Sequence, residues 1–400
     1  MSYQPLNDLS VNTGKNELAF DAWGRPKSVE DQSLFHGMFS YNVPVKVWYE
    51  KLNGGAEREP TNATSVDGAL NLVAGGTLND KTVLRTFRNM RYEPNRGHLF
   101  STAVILPNSS AAQTRQWGIG TDENGVFFSL ESGTLYGVIR TTTTAGGTVD
   151  SKVALDTTGL DISKGNVYDI QFQWRGVGGY KFFINLQEAG EFDYLGTLDD
   201  LSMSNPSLPC FFANENLGAN NPIKCGCVDV ASEGGMNNGK EYGSFGINSD
   251  QGEADFPAAY NVPMIAVRSK LTVGGLINTR DTLALLASFY SDSKSICRVW
   301  STRDFSAITE GNSTWVDIGD GHLEGIERLG TGGTMTFDTT GLTPVFTSRC
   351  PVDGTYSTSA LFEGRTSIWL TPGDMFVFTL HKENQATGQG GATFEFSEAI

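Results

Sequence analysis

The residues of this chain that could do chemistry are scattered carboxylates, four histidines and five cysteines, and none of them falls into a catalytic spacing. Glycoside hydrolysis needs two carboxylates about 5–10 Å apart, one to protonate the leaving oxygen and one to act as nucleophile or base. Asp122, Glu123, Asp169, Glu191 and Asp193 offer carboxylates, but Asp122 and Glu123 sit in an Asp-Glu-Asn-Gly turn, where acids are ordinarily solvated. A serine nucleophile would need a Gly-X-Ser-X-Gly elbow, and none occurs. His98 follows Gly97 at the start of an apolar run and reads as a packing residue. Cys225-Gly226-Cys227 lacks the two-residue spacing of zinc knuckles and has no histidine beside it, so it reads as thiols in a strand. Gly330-Thr331-Gly332-Gly333 is not followed by Lys-Ser/Thr and reads as a turn rather than a phosphate loop. Asp317-Ile318-Gly319-Asp320-Gly321 lacks the ligand spacing and closing glutamate of a helix–loop–helix calcium site. The expectation is no enzymatic activity, no metal and no cofactor.

The elements that must position these residues are strands. The composition combines 47 glycines and 11% aromatics with only 18% charged residues, which suits short strands and tight turns better than helices. Lys81–Phe87, His98–Leu106, Gln116–Gly120, Val126–Leu130 and Leu135–Arg140 read as successive strands, with turns at 122–125 and 131–133. Residues 166–174 alternate strictly: Tyr168, Ile170, Phe172 and Trp174 share one face, Val167, Asp169, Gln171 and Gln173 the other. That is a half-buried strand whose aromatic face must pack on a second sheet. It turns back at 175–179 and returns through Tyr180–Leu186. Between 190 and 260 Asn, Gly, Ser and Pro dominate and loops are expected, Asn214–Pro222 among them. A polar acidic stretch at 250–255 marks a boundary, and apolar strands resume at Val262–Leu271. The fold class is therefore all-β: an extended arm over residues 1–50, a lectin- or jelly-roll-like β-sandwich over 51–255 and a second β-sandwich over 256–400.

The net charge is −16, from 45 acidic and 29 basic residues, which opposes nucleic acid as the main partner. No run of about 18 apolar residues occurs, so no membrane partner is expected. Arg85, Arg88, Arg91 and Arg96 nevertheless cluster within twelve residues, interleaved with Phe87 and Tyr92. In so acidic a chain this basic patch points to salt bridging between subunits. The first residues, Met1-Ser2-Tyr3-Gln4-Pro5, show neither a basic region nor an apolar run, so no signal peptide is read.

Residues 19–37 carry Phe20, Trp23, Leu34 and Phe35 on what reads as an extended arm. Such an arm cannot bury these groups against itself and needs another surface. Its Phe20-Asp21-Ala22-Trp23-Gly24-Arg25-Pro26 segment, followed by Ser33-Leu34-Phe35, resembles the opening of a group of tailed-bacteriophage virion structural proteins. Arg91–Gly97, Asn124–Phe128, Gln173–Gly178 and Ser232–Gly235 follow in similar order, so that the resemblance spans roughly residues 18–245. It implies a non-enzymatic virion component, a head decoration, head fibre, tail fibre or baseplate protein made in the host cytoplasm. Its partners would be other virion proteins and further copies of itself, a homotrimer first. Phe20, Trp23, Arg25, Leu34 and Phe35 would then contact another subunit. The alternative is a carbohydrate-binding module that recognises a host surface glycan, which calls for a shallow groove with convergent carboxamides and exposed rings such as Trp117, Tyr136 or Tyr180.

Overall fold

The computed structural model describes residues 31–92, 96–142, 147–174, 179–193, 202–233, 244–248, 254–256, 261–278, 282–292, 294–318, 321–328, 333–350, 354–357, 369–382 and 388–398. The chain divides into two compact units, Met1–Asn238 and Gly239–Ile400. Both are all-β sandwiches, as the composition led one to expect, and the strand pairs described are antiparallel.

The first unit holds strands β1 (Asp31–Met38), β2 (Trp48–Leu52), β3 (Ala63–Val66), β4 (Ala69–Leu72), β5 (Lys81–Met90), β6 (His98–Ile105), β7 (Gln113–Gly120) and β8 (Gly125–Glu131). It continues with β9 (Thr134–Thr142), β10 (Thr148–Ala154), β11 (Gly165–Gln173), β12 (Gly179–Ile184), β13 (Gln187–Asp193), β14 (Leu208–Asn216) and β15 (Ile223–Glu233). One sheet runs β13-β12-β11-β6-β15-β4-β3, with β1 also on β15; the other runs β10-β9-β8-β7-β14-β5-β2.

Strict alternation builds the layer between them. β8 turns Val126, Phe128 and Leu130 inward, and β11 turns Tyr168, Ile170 and Phe172 inward to meet them. Trp117 stacks on Phe128 at 5.6 Å and meets Tyr168 edge-on at 5.0 Å. Each such buried ring contributes roughly 1.5–3 kcal/mol through the area it removes from water. The sheets approach closely at Gly137, where an added Cβ would lie 2.7 Å from the Phe182 ring.

Polar groups also sit among these buried side chains, held by hydrogen bonds. The fully buried Arg115 guanidinium donates to the carbonyls of Pro107 (2.8 Å), Asn108 (3.3 Å) and Pro222 (3.4 Å), and burial lowers its pKa to about 10. Asn214 donates through Nδ2 to the carbonyls of Leu72 and Asn221. The Glu50 carboxylate accepts from Arg58 and from the backbone N–H groups of Thr61, Asn62 and Ala63.

Three expectations change here. β1 and the start of β2 fall within 1–50 and belong to the sandwich rather than to a free arm, because Asp31–Met38 pairs along Cys227–Glu233 and Trp48 enters the core. Leu208–Asn216, read partly as loop, is the strand between β7 and β5; it is buried on both faces and so lacks the alternation that marks a strand from sequence. The boundary falls at Asn238/Gly239 rather than 255/256, because Ser244–Asn248 and Ala254–Phe256 pair with Gly388–Glu398 in the second unit.

The second unit is a sandwich of two six-stranded sheets. Gly388–Glu398 and Thr282–Ser291 centre one; Val262–Ser269, Met375–Lys382 and Ser295–Thr302 centre the other. Val262, Met264, Val267, Phe289, Phe378 and Phe394 fill its core, with Phe378 and Phe394 at 4.8 Å. A second apolar cluster that includes Trp300, Ile326 and Val377 packs with Trp315 and Phe337.

Candidate site on the outer face of the seven-stranded sheet

Strand alternation puts a second set of side chains on the outer face of the seven-stranded sheet, and the register arranges them in rows. One row is Tyr49, Arg85, Phe211, Gly118, Phe127, Val138 and Lys152. The next is Lys51, Val83, Ala213, Gln116, Ser129 and Tyr136. The third is Lys81, Glu215, Thr114, Glu131 and Thr134.

The floor is apolar and closed. Val83, Phe127, Val138, Phe211 and Ala213 form a buried cluster, with Phe127 and Phe211 edge-to-face at 5.4 Å. Arg140 lies over the Phe127 ring at 5.0 Å and is held there by Asp150, which accepts from Nε at 2.8 Å and from Nη2 at 2.9 Å. A guanidinium spread over an aromatic face and paired with a carboxylate is a rigid lid on that ring.

Beside the floor runs a polar chain. Gln116 Nε2 donates to Ser129 Oγ at 3.3 Å, and Ser129 Oγ donates to Glu131 Oε1 at 2.9 Å. Lys152 Nζ reaches the same carboxylate at 2.7 Å and stands 5.7 Å from the centre of the half-buried Tyr136 ring. The reachable groups are thus an aromatic edge, a carboxylate and an ammonium, with a carboxamide and a hydroxyl behind them.

The end of the face near β2 carries charge. Arg85 Nη2 donates to Asp122 at 2.9 Å, with the guanidinium buried and the carboxylate largely exposed. Burial alone would lower the Arg85 pKa, but Tyr49 and Asp122 beside it hold it above its ordinary value. Burial would raise Asp122, but the charge and hydrogen bond of Arg85 together with the charges of Lys51 and Lys81 outweigh it and lower it. Burial raises the Tyr49 hydroxyl. Lys81 is lowered by burial and by the charge of Arg140.

The residues expected to act together do not meet. Of the arginine cluster, Arg85 pairs with Asp122 of its own unit, and Arg88 Nη1 donates to the Leu34 carbonyl at 3.3 Å. Arg88, Arg91 and Arg96 are half-buried. Of the arm residues, Leu34 is buried and Phe35 packs edge-on against Trp48 at 5.7 Å in the same unit. Phe20, Trp23 and Arg25 lie outside the described residues. Asp122 faces this site, whereas Asp169 accepts from Ser101 at 2.6 Å in the other sheet, and Glu191 pairs there with Lys181 at 3.4 Å. The Asp193 side chain lies outside the described residues. Trp117 and Tyr180 are wholly buried, which leaves Tyr136 as the reachable ring of the three. Among the described residues no group of three His, Cys, Asp or Glu side chains could hold a metal ion, and Asp317 is paired with Lys270.

Sequence reasoning missed Glu131, Glu215, Gln116 and Lys81. The signal was present for Glu131 only, which is in phase with Phe127 and Ser129 along β8. Glu215 needed the recognition of β14 as a strand.

No family model matches the chain, and no curated protein matches it. Solved structures do. An endo-1,3-β-glucanase from Streptomyces sioyaensis is 12% identical over 51% of this chain and 97% of its own, with a TM-score of 0.39. β-Agarase A from Zobellia galactanivorans is 10% identical over 55% and 97%, with a TM-score of 0.41. The carbohydrate recognition domain of Emp46p is 8% identical over 48% and 95%, with a TM-score of 0.32. Two expectations are corrected by these matches: the chain as a non-enzymatic virion structural protein, and the absence of enzymatic activity. The neighbours act on or recognise glycans. At these scores the likeness assigns no activity to this chain.

Proposed function

We propose that the first unit binds carbohydrate on the outer face of its seven-stranded sheet. The observation that carries this reading is the hydrogen-bonded chain Gln116–Ser129–Glu131–Lys152 running beside Tyr136. A sugar presents an apolar ring face edged by hydroxyls that both donate and accept. An aromatic surface for the first, and a carboxylate with an ammonium beside it for the second, is the matching chemistry. Because Glu131 is already oriented by Ser129 and Lys152, it meets a hydroxyl without further ordering cost.

A second reading is hydrolysis on the same face. It rests on Glu131 and Glu215, which share one row on either side of Thr114, two strands apart. Strand spacing puts their Cα atoms about 10 Å apart. Carboxylates somewhat closer than that leave room for a water in an inverting mechanism.

Glycan-array screening of the full chain, followed by calorimetry with Tyr136→Ala and Gln116→Ala, tests the first reading. Binding that both variants weaken supports it; a blank array, or binding unchanged in both, overturns it. Release of reducing ends from a bound glycan, abolished in both Glu131→Gln and Glu215→Gln, supports the second reading. Turnover that survives both substitutions overturns it.

A further inference from the structure

The charge on this face is unevenly distributed. The chain as a whole is acidic at −16, yet Lys51, Lys81 and Arg85 project from adjoining strands at one end of the face. Lys51 is in register with Val83, and Lys81 stands two residues from Val83 on the same face, so the two lysines are diagonal neighbours in the sheet register. Arg85 is neutralised by Asp122 and Arg140 by Asp150. Among the described residues neither Lys51 nor Lys81 forms an ion pair, although Glu215 is the residue opposite Lys81. Lys51 instead lies 5.7 Å from the Tyr49 ring centre.

Like charges placed together and partly removed from water are costly unless an anion joins them. Burial, and after it the charge of Arg140, lower the Lys81 pKa. Asp122 and Glu215 are within electrostatic reach of it and offset the cost only in part.

We infer that the glycan taken by this face is acidic, and that Lys51 and Lys81 receive its anionic substituent. This inference rests on the carbohydrate reading above. Carboxylate and sulfate substituents share the chemistry that two ammonium groups recognise. The sugar ring carrying the anion would lie toward β5, with its neighbours extending over β7 and β8 to Tyr136.

The test is calorimetry of the full chain with three probes: cellotetraose, tetragalacturonate and a sulfated galactan tetrasaccharide. At least one acidic probe should bind roughly tenfold tighter than the neutral one, and added salt should shrink that difference. The better acidic probe tells carboxylate from sulfate. Lys51→Met/Lys81→Met should remove the preference for the acidic probe, while Lys81→Arg should keep it; thermal melting shows that each variant is folded. Equal affinity for neutral and acidic probes overturns the inference and leaves the carbohydrate reading standing. An acidic preference that persists in the double methionine variant overturns the assignment to these lysines. A blank result for all three, together with a blank array, overturns the carbohydrate reading itself.

Discussion

Arg58 Nε donates to Glu50 Oε1 at 3.1 Å, and through this contact a half-exposed arginine anchors a fully buried carboxylate. The second oxygen of Glu50 accepts the backbone N–H groups of Thr61 (2.9 Å), Asn62 (2.8 Å) and Ala63 (3.2 Å). One side chain on β2 thus ties the chain leading into β3 to the sheet that carries the candidate site. Burial by itself would raise the Glu50 pKa, but these donors outweigh it and hold it below the ordinary carboxylate range. Glu50→Gln is expected to cost about 3 kcal/mol, read by chemical denaturation, since a buried donor set loses its charge partner. The sign with pH follows: the stabilisation is complete above the unfolded value of about 4.3 and is lost as pH falls through the lower folded value. Denaturation midpoints of wild type and variant should converge in acid. A constant gap down to the folded pKa would refute this role for Glu50.

His98 shifts stability with pH in the same direction, for a different reason. It is buried between Tyr92 (4.6 Å) and Phe172 (5.6 Å), and burial pushes its pKa down to about 4. Between the unfolded value of about 6.5 and that folded value, the unfolded chain binds the extra proton. Stability should therefore fall as pH drops through this window. The melting temperature of His98→Phe should depend less steeply on pH there than that of wild type.

Gly137→Ala tests the closeness of the two sheets. Its Cβ would meet three atoms of the Phe182 ring at 2.7–2.9 Å, and a buried ring in a packed layer has little freedom to give way. A loss of about 1–3 kcal/mol is expected on denaturation. Unchanged stability would mean that the sheets separate more easily than this packing implies.

Phe127→Ala tests whether the floor of the candidate site supports the groups above it. The ring is wholly buried and is the surface on which Arg140 rests. Truncation should cost about 3–5 kcal/mol of stability. In the folded fraction it should also weaken glycan binding, because Arg140 loses its seat. Full affinity in the variant would separate Arg140 from the site.

Local pattern was enough to specify some of this protein. The alternation of 166–174 put Tyr168, Ile170 and Phe172 into the core, and the turn at 131–133 needed a residue such as Gly133, whose φ is +99°. Two all-β units were legible for the same reason: period-two patterning and turn chemistry are properties of neighbours in the chain. Long-range pairing was not legible. Leu208–Asn216 carries Pro, Cys and Asn and is buried on both faces, so nothing in its own residues marks it as the strand that joins β7 to β5. That strand sets Glu215 in one row with Glu131, and its partner β5 sets Lys81 beside Glu215. The arginine cluster shows the same limit in reverse. Arg85 and Arg88 are three residues apart on β5, yet one pairs with Asp122 and the other reaches the Leu34 carbonyl. Sequence by itself marked the strands that alternate; only the tertiary structure decided which strands lie side by side, and that Leu208–Asn216 is one of them, because registers between distant segments depend on the packing of the whole sandwich.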